Sequence, residues 1–391
     1  DWYKRQEIKI ADIPLDDKKT YELLGKGETM GVFQLESAGM RRVAKNLQPN
    51  QFSDITAMVA LYRPGPMDLI PQFIEGKHNP ESIQYLDPSL EQVLGETYGI
   101  MVYQEQVMQI FSHMAGYSLG EADMIRRAIG KKKMKILAEN KIRFIDESVK
   151  RGYKREVPEK VWGFIEAFAN YGFNKAHAAS YAMISYQTAY LKANYPVEYM
   201  AALLGIEAGS HGANRDEKVA YGIETVKNMG IKILPPNINH SNAEFTIEHD
   251  EDSLEGLAIR FGFDAVKNVG SAAIENVLET RQRLQKDTGQ GFTSLTQFLH
   301  ETEGRKVNKK VLESLIKVGA MDMFGTRASM LENLDSIRTT ASQFQSEIEG
   351  QDNLFAGVKQ ATSLQDTFPE LPEYPNQELL SFEKELLGLY L

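Results

Sequence analysis

Cysteine is absent from the 391 residues of this chain, which excludes disulfides, thiolate zinc sites and a cysteine nucleophile. No apolar run approaches the roughly 20 residues that a membrane helix needs, and no apolar N-terminal stretch resembles a signal peptide. The seven histidines are scattered without the spacing of metal ligands. These absences favour a soluble protein of a reducing compartment such as the cytoplasm, with no membrane partner.

Charge is distributed unevenly along the chain. The formal net charge is -10, with 42% hydrophobic and 25% charged residues, a composition typical of a globular protein with two or more domains at this length. Residues 122–155 nevertheless contain twelve Lys or Arg against four Asp or Glu, a local balance of +8. A basic segment in an acidic protein predicts an anionic partner, and the alternative is a solvated basic helix face.

The basic segment contains a helix end. Ser118 and Glu121 have the spacing of a capping box, which predicts that a helix begins at Ser118 and runs through Arg126 and Arg127. Adjacent helical residues point about 100° apart, so we expect the two arginines to contact two sides of a ligand. A glycine then allows a turn before Lys131 and two further lysines. Planar arginine groups combined with lysine point charges fit a polyphosphate, although the spacing of a Walker loop is absent.

Two other segments predict cations at fixed positions. The prolines that follow Arg63 end the helix of residues 52–62 and hold the turn, so Arg63 either faces a ligand or caps that helix. Glycine and asparagine end the preceding helix, and a second helix follows and runs to Asn194. Lys175 and His177 lie at its first turn, where backbone amides favour an anion. The alternative for His177 is a hydrogen-bonded structural residue.

Five motifs occur together and in one order. They are Val32-Phe33-Gln34-Leu35-Glu36-Ser37, Tyr62-Arg63-Pro64-Gly65-Pro66, Tyr98-Gly99-Ile100 with Tyr103-Gln104-Glu105-Gln106-Val107-Met108, the run from Arg126 to Lys133, and the segment from Tyr171 to Ala182. In this order they resemble the fingers region of the bacterial replicative DNA polymerase III alpha subunit, a C-family polymerase. The resemblance covers most of residues 10–210.

The resemblance implies part of a DNA-directed DNA polymerase, a nucleotidyltransferase of DNA replication. Its fingers would bind the incoming deoxynucleoside triphosphate and primer-template DNA during template-directed synthesis. Carried over onto this chain, the residues that would line the triphosphate are Arg126, Arg127, Lys131, Lys175 and His177, with Arg63 nearby. The alternative function is a non-catalytic DNA-binding or scaffold protein that uses the same basic helix surface on duplex phosphates.

Catalysis in this family uses two divalent metals held by three palm aspartates, and the resemblance places the last of these just upstream of Asp1. The acidic residues of this chain at 16–17 and 250–252 are typical of loop charges. We therefore expect a piece of a longer chain that is inactive alone. It would hold no catalytic residue, no metal ligand and no cofactor, whereas the full-length enzyme would use Mg²⁺.

Beyond residue 210 the pattern changes. Short apolar runs at 231–236, 244–248 and 257–261 predict strands of a small mixed element. Val266 to Ser271 then resembles a helix-hairpin-helix module, with its second half in Val311 to Asp322. The resemblance implies that Lys267, Asn268, Gly270 and Ser271 meet a DNA phosphate through backbone amides. Asn268 replaces a glycine of that motif and can still adopt the left-handed conformation. The alternative is an ordinary helical hairpin.

The C-terminal stretch is acidic. Residues 346–391 contain nine Asp or Glu, two Lys and three Pro, which predicts an extended or mobile tail. Within it, Gln351-Asp352-Asn353-Leu354-Phe355 resembles the peptide by which bacterial polymerases bind the sliding clamp. Leu354 and Phe355 would fill an apolar pocket and Gln351 would supply hydrogen bonds. The clamp and other replisome subunits are therefore expected partners.

Together these patterns predict a mainly α fold with four parts. They are a multi-helical fingers domain at 1–210, a small mixed α/β element that closes the fingers at 211–262, a tandem helix-hairpin-helix DNA-binding module at 263–345, and an acidic tail with the clamp-binding-like motif at 346–391.

Overall fold

The computed structural model describes residues 8–131, 133–168, 172–210, 212–253, 256–350, 365–366 and 368–391, with side chains left out at 134 and 342–350. The described chain is mainly helical and has one small mixed sheet, which confirms the predicted fold class. It divides into two compact units that meet in sequence at Tyr195 and Pro196. The sequence-based limits at 210, 262 and 345 stay predictions.

The first unit is helical throughout its described part. Its α-helices are α1 (Lys18–Lys26), α2 (Ala38–Leu47), α3 (Phe52–Leu61), α4 (Ile70–His78), α5 (Glu91–Leu94), α6 (Gln104–Ala115), α7 (Leu119–Gly130), α8 (Met134–Lys150), α9 (Glu156–Phe168) and α10 (Lys175–Asn194). Short 3-10 helices lie at Ile10–Asp12, Pro66–Leu69, Pro80–Ser82, Pro88–Leu90 and Gly95–Thr97.

Local sequence explains where the functional helices begin and end. The capping box predicted for α7 is present, because the Ser118 hydroxyl accepts from the Glu121 amide and the Glu121 carboxylate accepts from the Ser118 amide. Gly116 ends α6 in the left-handed conformation, with φ 69°. Asn174 caps α10 by accepting from the His177 amide.

Two hydrophobic cores support the first unit. The first core joins α1 to α4 with α10 and includes Leu35, Ile55 and Tyr186. The second core joins α5 to α9 and includes Phe111 and Trp162. An isolated bridge between Tyr103 and Phe173 connects the start of α6 to the segment before α10. Helices α7 and α10 therefore rest on different cores.

Lys192 of α10 is buried at the first core. Its Nζ donates to the carbonyls of Glu28 and Met30, each at 2.8 Å. A neutral amine has two N–H donors, so the neutral form satisfies both carbonyls. Burial correspondingly lowers the pKa of Lys192 to about 8.

The second unit combines helices with the sheet. Its α-helices are α11 (Pro196–Ala208), α12 (Arg215–Asn228), α13 (Ser271–Thr288), α14 (Leu295–Glu301), α15 (Lys309–Lys317), α16 (Arg327–Gly350) and α17 (Asn376–Leu387), and 3-10 helices lie at Phe263–Ala265 and Asp322–Phe324. Strands β1 (Lys232–Leu234), β2 (Thr246–His249) and β3 (Leu257–Arg260) form the sheet in the order β1-β3-β2. β3 is parallel to β1 and antiparallel to β2, so the small mixed element is confirmed.

The prediction of an extended acidic tail is wrong for its described part. Residues 376–387 form α17, whose Leu386 and Leu387 are buried. Asp366 accepts from two backbone amides at the start of α14, and Glu373 does the same at the start of α16. These two acidic residues therefore cap helix N-termini, where unpaired amides and the helix dipole favour a carboxylate. The acidic composition alone predicts an extended or mobile tail instead.

No helix within the described residues combines the length and the apolar character needed to cross a bilayer.

Candidate functional site

Arg126, Arg127 and Lys131, here called the α7 cluster, lie at the C-terminal end of α7. Arg126 donates from Nε and Nη2 to Asp123 Oδ1, at 3.0 and 2.7 Å. Arg127 Nε lies 2.8 Å from the other oxygen, Asp123 Oδ2. The two guanidinium groups therefore converge on one carboxylate instead of pointing to two sides.

Asp123 was missed by the sequence analysis. It lies three and four residues before the arginines, which is the spacing of helical ion pairs and could have identified it. The hydrogen bond from Arg126, with a second from Arg127, holds the pKa of Asp123 below its ordinary value. The carboxylate is thus ionised at neutral pH and neutralises one of the three cations.

Gln104 connects the α7 cluster to the segment before α10. Its Oε1 accepts from Arg126 Nη1 at 2.8 Å. Its Nε2 donates to the Gly172 carbonyl, and its backbone amide donates to the Phe173 carbonyl, both at 2.9 Å. A cleft of about 230 Å³ lies here, lined by Gln104, Val107, Arg126, Arg127, Lys131, Phe168 and Gly172. The cleft combines an apolar wall with the three cations.

The side chain and the backbone amide of Lys175, together with Asn174, are here called the α10 N-terminal cluster, and they are already engaged with carboxylates. Lys175 Nζ lies 2.6 Å from Glu96 Oε2. The Lys175 amide donates to Glu105 Oε2 at 3.0 Å, and Asn174 Nδ2 donates to Glu105 Oε1 at 2.9 Å. The helix start does favour an anion, as expected from physical chemistry. In this structure that anion is Glu105.

His177 and Arg63 meet through a row of rings. The His177 ring lies 4.6 Å from Tyr181 and 5.5 Å from Phe173, between ring centroids. The Arg63 guanidinium carbon lies 4.5 Å from the Phe173 ring centre, the geometry of a cation–π contact. Phe33 extends the row at 5.7 Å from Tyr181. The structure thus groups Arg63 with His177 on aromatic rings.

Arg63 also has the capping contact that the sequence left open. Its Nε donates to the Ala60 carbonyl at 2.8 Å, near the end of α3. Burial lowers the pKa of its guanidinium. Tyr186 is buried in the first core, and its hydroxyl donates to the Pro14 carbonyl. Tyr171 lies outside the described residues.

The hairpin at 266–271 has the predicted backbone. Asn268 has φ 68°, so its left-handed conformation is confirmed. Gly270 has φ -86° and lies at the N-cap of α13, and among the described residues, its two chain neighbours aside, no atom lies within 4 Å of the place where its Cβ would be. The exposed Ser271 begins α13. The glycine therefore leaves the start of α13 open to close approach.

Other hairpin contacts are internal. Lys267 Nζ lies 3.0 Å from Asp216 Oδ2, and Asn268 Nδ2 donates to Ser314 Oγ of α15 at 3.2 Å. In the second half, Leu312 and Leu315 of α15 are buried, and Gly319 after α15 has φ 78°. The two halves of the module are therefore joined by Asn268.

Two further predictions concern the clamp-binding-like motif and metal ligands. Gln351, Leu354 and Phe355 of the clamp-binding-like motif lie outside the described residues. Across the part of the chain that the structure does describe, no group of three or more His, Cys, Asp or Glu side chains could hold a metal ion.

Comparison with known proteins agrees with this architecture. Residues 2–152 match the family model of the bacterial DNA polymerase III alpha subunit finger domain, and residues 230–330 match a helix-hairpin-helix motif. The DNA polymerase III subunit alpha of Thermus aquaticus is 45% identical over 99% of this chain and 30% of its own length. Those of Campylobacter jejuni and Bacillus subtilis are 44% and 42% identical, over 98% and 99% of this chain and 31% and 33% of their own lengths.

The chain spans about a third of the length of these relatives. The two family matches cover residues 2–152 of the helical first unit and the hairpin region, and the relatives align with almost every residue. The chain therefore belongs to the family of bacterial DNA polymerase III alpha subunits.

Proposed function

We propose that this chain is the part of a replicative DNA polymerase that binds the incoming deoxynucleoside triphosphate beside primer-template DNA. The observation that carries the proposal is the α7 cluster, where three cations face one cleft and the carboxylate of Asp123 pairs with two of them. Arg126 uses three of the five N–H groups of a guanidinium, which leaves two for a ligand. A triphosphate supplies the anionic oxygens that such donors favour.

The other predicted nucleotide residues would have supporting roles. Lys175 would first have to leave Glu96, and the start of α10 is filled by Glu105. His177 is exposed and lies with Arg63 along the aromatic row. We therefore assign the phosphates to Arg126, Arg127 and Lys131, and place Lys175, His177 and Arg63 at the flank of the same ligand.

The Mg²⁺ ions of the reaction would be held by another part of the enzyme. Within the described residues, the acidic side chains offered by the sequence do not fit a metal pair. Asp17 caps α1 through Thr20, and Asp250 pairs with Lys232 at 2.7 Å. We accordingly propose that the chain alone does not extend a primer. Primer extension by the purified chain, with contaminating polymerase excluded, would contradict this.

The second unit would hold duplex DNA without reading its sequence. Lys267, Asn268, Gly270 and Ser271 would contact a phosphate at the open start of α13, once Lys267 exchanges Asp216 for that phosphate. Gln351, Leu354 and Phe355 would bind the sliding clamp, in the cytoplasm and among other replisome subunits. Replacing Leu354 and Phe355 by alanine should abolish clamp binding, and unchanged affinity would remove that assignment.

The nucleotide assignment is tested by Arg126→Ala in the full-length polymerase. We expect a higher Michaelis constant for the nucleotide or a lower turnover, with primer-template affinity nearly unchanged. The matched control is Arg155→Ala, an exposed arginine of the same basic segment that pairs with Asp146. A scaffold that uses the surface on duplex phosphates would behave differently: Arg126→Ala would weaken duplex binding and flatten its salt dependence. That second result would overturn the proposal.

A further inference from the structure

Arg126 and Arg127 are adjacent and share one carboxylate, yet the structure holds them differently. Arg126 makes three hydrogen bonds to side chains on two helices, Asp123 of α7 and Gln104 of α6. Its side chain is 23% exposed. Arg127 Nε lies 2.8 Å from Asp123 Oδ2, and the Arg127 side chain is 68% exposed. One guanidinium is therefore fixed and the other is held loosely.

The acceptor on α6 is itself oriented. Gln104 Nε2 faces the carbonyl of Gly172, so its Oε1 is the atom left to face Arg126. The Gln104 backbone is held as well, because its amide donates to the Phe173 carbonyl. A side chain whose own partner is fixed loses little further freedom when it binds a ligand. Arg126 thus reaches the cleft in one orientation.

We propose that Asp123 and Gln104 are positioning residues that fix Arg126 as a preorganised phosphate ligand and let Arg127 exchange between Asp123 and the bound phosphates. The inference rests on the proposed nucleotide function of this cleft. Asp123 offers Oδ1 to Arg126 and Oδ2 to Arg127, so Arg127 can leave without disturbing Arg126. The carboxylate also limits the positive charge that retains a triphosphate, or the pyrophosphate formed from it.

Asp123→Asn separates the charge from the shape. The variant keeps a side chain of the same size but removes the negative charge that orients both arginines. Ground-state attraction for the triphosphate increases, because the negative charge that offsets the two arginines is removed, whereas the alignment of Arg126 is lost. In full-length polymerase we expect the Michaelis constant for the nucleotide to be unchanged or lower and kcat to fall about 10-fold. A merely structural role would not separate the two parameters in this way.

The double variant Asp123→Asn with Arg126→Ala tests whether Asp123 acts through the arginine. We expect the double variant to be no slower than Arg126→Ala alone, because the group to be positioned is gone. Gln104→Met tests the orientation of Arg126 from α6. We expect the same lower kcat, and no further loss when Gln104→Met is combined with Arg126→Ala. Gln104→Met also tests the inference if the Asp123→Asn variant fails to fold. Asp146→Asn is the matched control, since Asp146 pairs with Arg155 elsewhere in the basic segment.

Three results would overturn the inference. The first is an Asp123→Asn enzyme with both parameters within about twofold of the parent. The second is a higher Michaelis constant with unchanged kcat. The third is a double variant whose losses multiply. All three are distinguishable from failure of the proposed function, in which Arg126→Ala itself leaves nucleotide kinetics unchanged and weakens duplex binding.

Discussion

The α7 cluster and the α10 N-terminal cluster look alike in the sequence and differ in the structure. Both place basic side chains at a helix end within the same unit. At the α7 cluster, Arg126 and Arg127 share the carboxylate of Asp123, and Lys131 lines the same cleft. At the α10 N-terminal cluster, the side chain and the backbone amide of Lys175 meet two carboxylates, Glu96 and Glu105. The balance between cations and nearby carboxylates, and not the cations alone, therefore marks a surface available to an anion.

The two clusters also rest on different supports. α7 packs on the second core, with Ala122 and Ile125 buried, and α10 packs on the first core, with Ala178 and Ala182 buried. Gln104 lies where the two meet, because it contacts Arg126 as well as Gly172 and Phe173. A substitution in the second core should therefore affect the α7 cluster more than the α10 N-terminal cluster, and a substitution in the first core should do the reverse.

The largest expected effect comes from the support of the α7 cluster. Trp162 of α9 is fully buried, with its ring 5.7 Å from Phe111 and 5.8 Å from Phe144. Trp162→Ala should lower the free energy of unfolding by about 3 to 5 kcal/mol, since it leaves a cavity. Urea unfolding of the 391-residue chain measures it, with Phe164→Ala as the exposed control on the same helix. A loss below about 1 kcal/mol would show that this core does not support the cluster.

The first core, which supports the α10 N-terminal cluster, should contribute a free energy of unfolding that depends on pH. Burial lowers the pKa of Lys192 from 10.5 to about 8, so between these values the unfolded chain binds a proton that the folded chain does not. The free energy of unfolding therefore rises with pH across this window. Relative to Lys192→Met, the parent should gain about 1 to 2 kcal/mol between pH 7.5 and 9.5. A difference that does not change with pH would mean that Lys192 stays protonated when folded.

A smaller effect is expected at the anion that fills the start of α10. Glu105→Gln removes the charge that faces the Lys175 amide and Asn174, and should cost about 0.3 to 1 kcal/mol of unfolding free energy. The loss should shrink in high salt, because the helix-dipole interaction is screened. Thermal unfolding at low and high salt measures it, with the exposed Glu166→Gln of α9 as the control. An equal loss in both variants would remove the capping role of Glu105.

Sequence reasoning succeeded where structure depends on near neighbours. The capping box at Ser118 needs only Glu121, and the left-handed Asn268 follows from a single position in a motif. Asp123 belongs to this group too, because its arginine partners are three and four residues away.

Reasoning from sequence failed where a partner lies far along the chain. Lys175 pairs with Glu96, 79 residues away, and its amide meets Glu105, 70 residues away. Asp366 caps a helix whose amides are 70 and 71 residues distant. Such pairs depend on how helices pack, which composition does not contain. An acidic tail that caps helices and an acidic tail in solvent have the same sequence character.

The most direct test compares the two clusters by nucleotide affinity in the full-length polymerase. Arg126→Ala and Lys175→Ala each remove one cation, and the dissociation constant of the correct nucleotide is measured by single-turnover primer extension. Loss of a charge-assisted hydrogen bond predicts an increase of about 10- to 100-fold for Arg126→Ala, and less than about threefold for Lys175→Ala, whose charge already opposes Glu96. Equal effects, or a larger effect of Lys175→Ala, would contradict the assignment of the triphosphate to the α7 cluster.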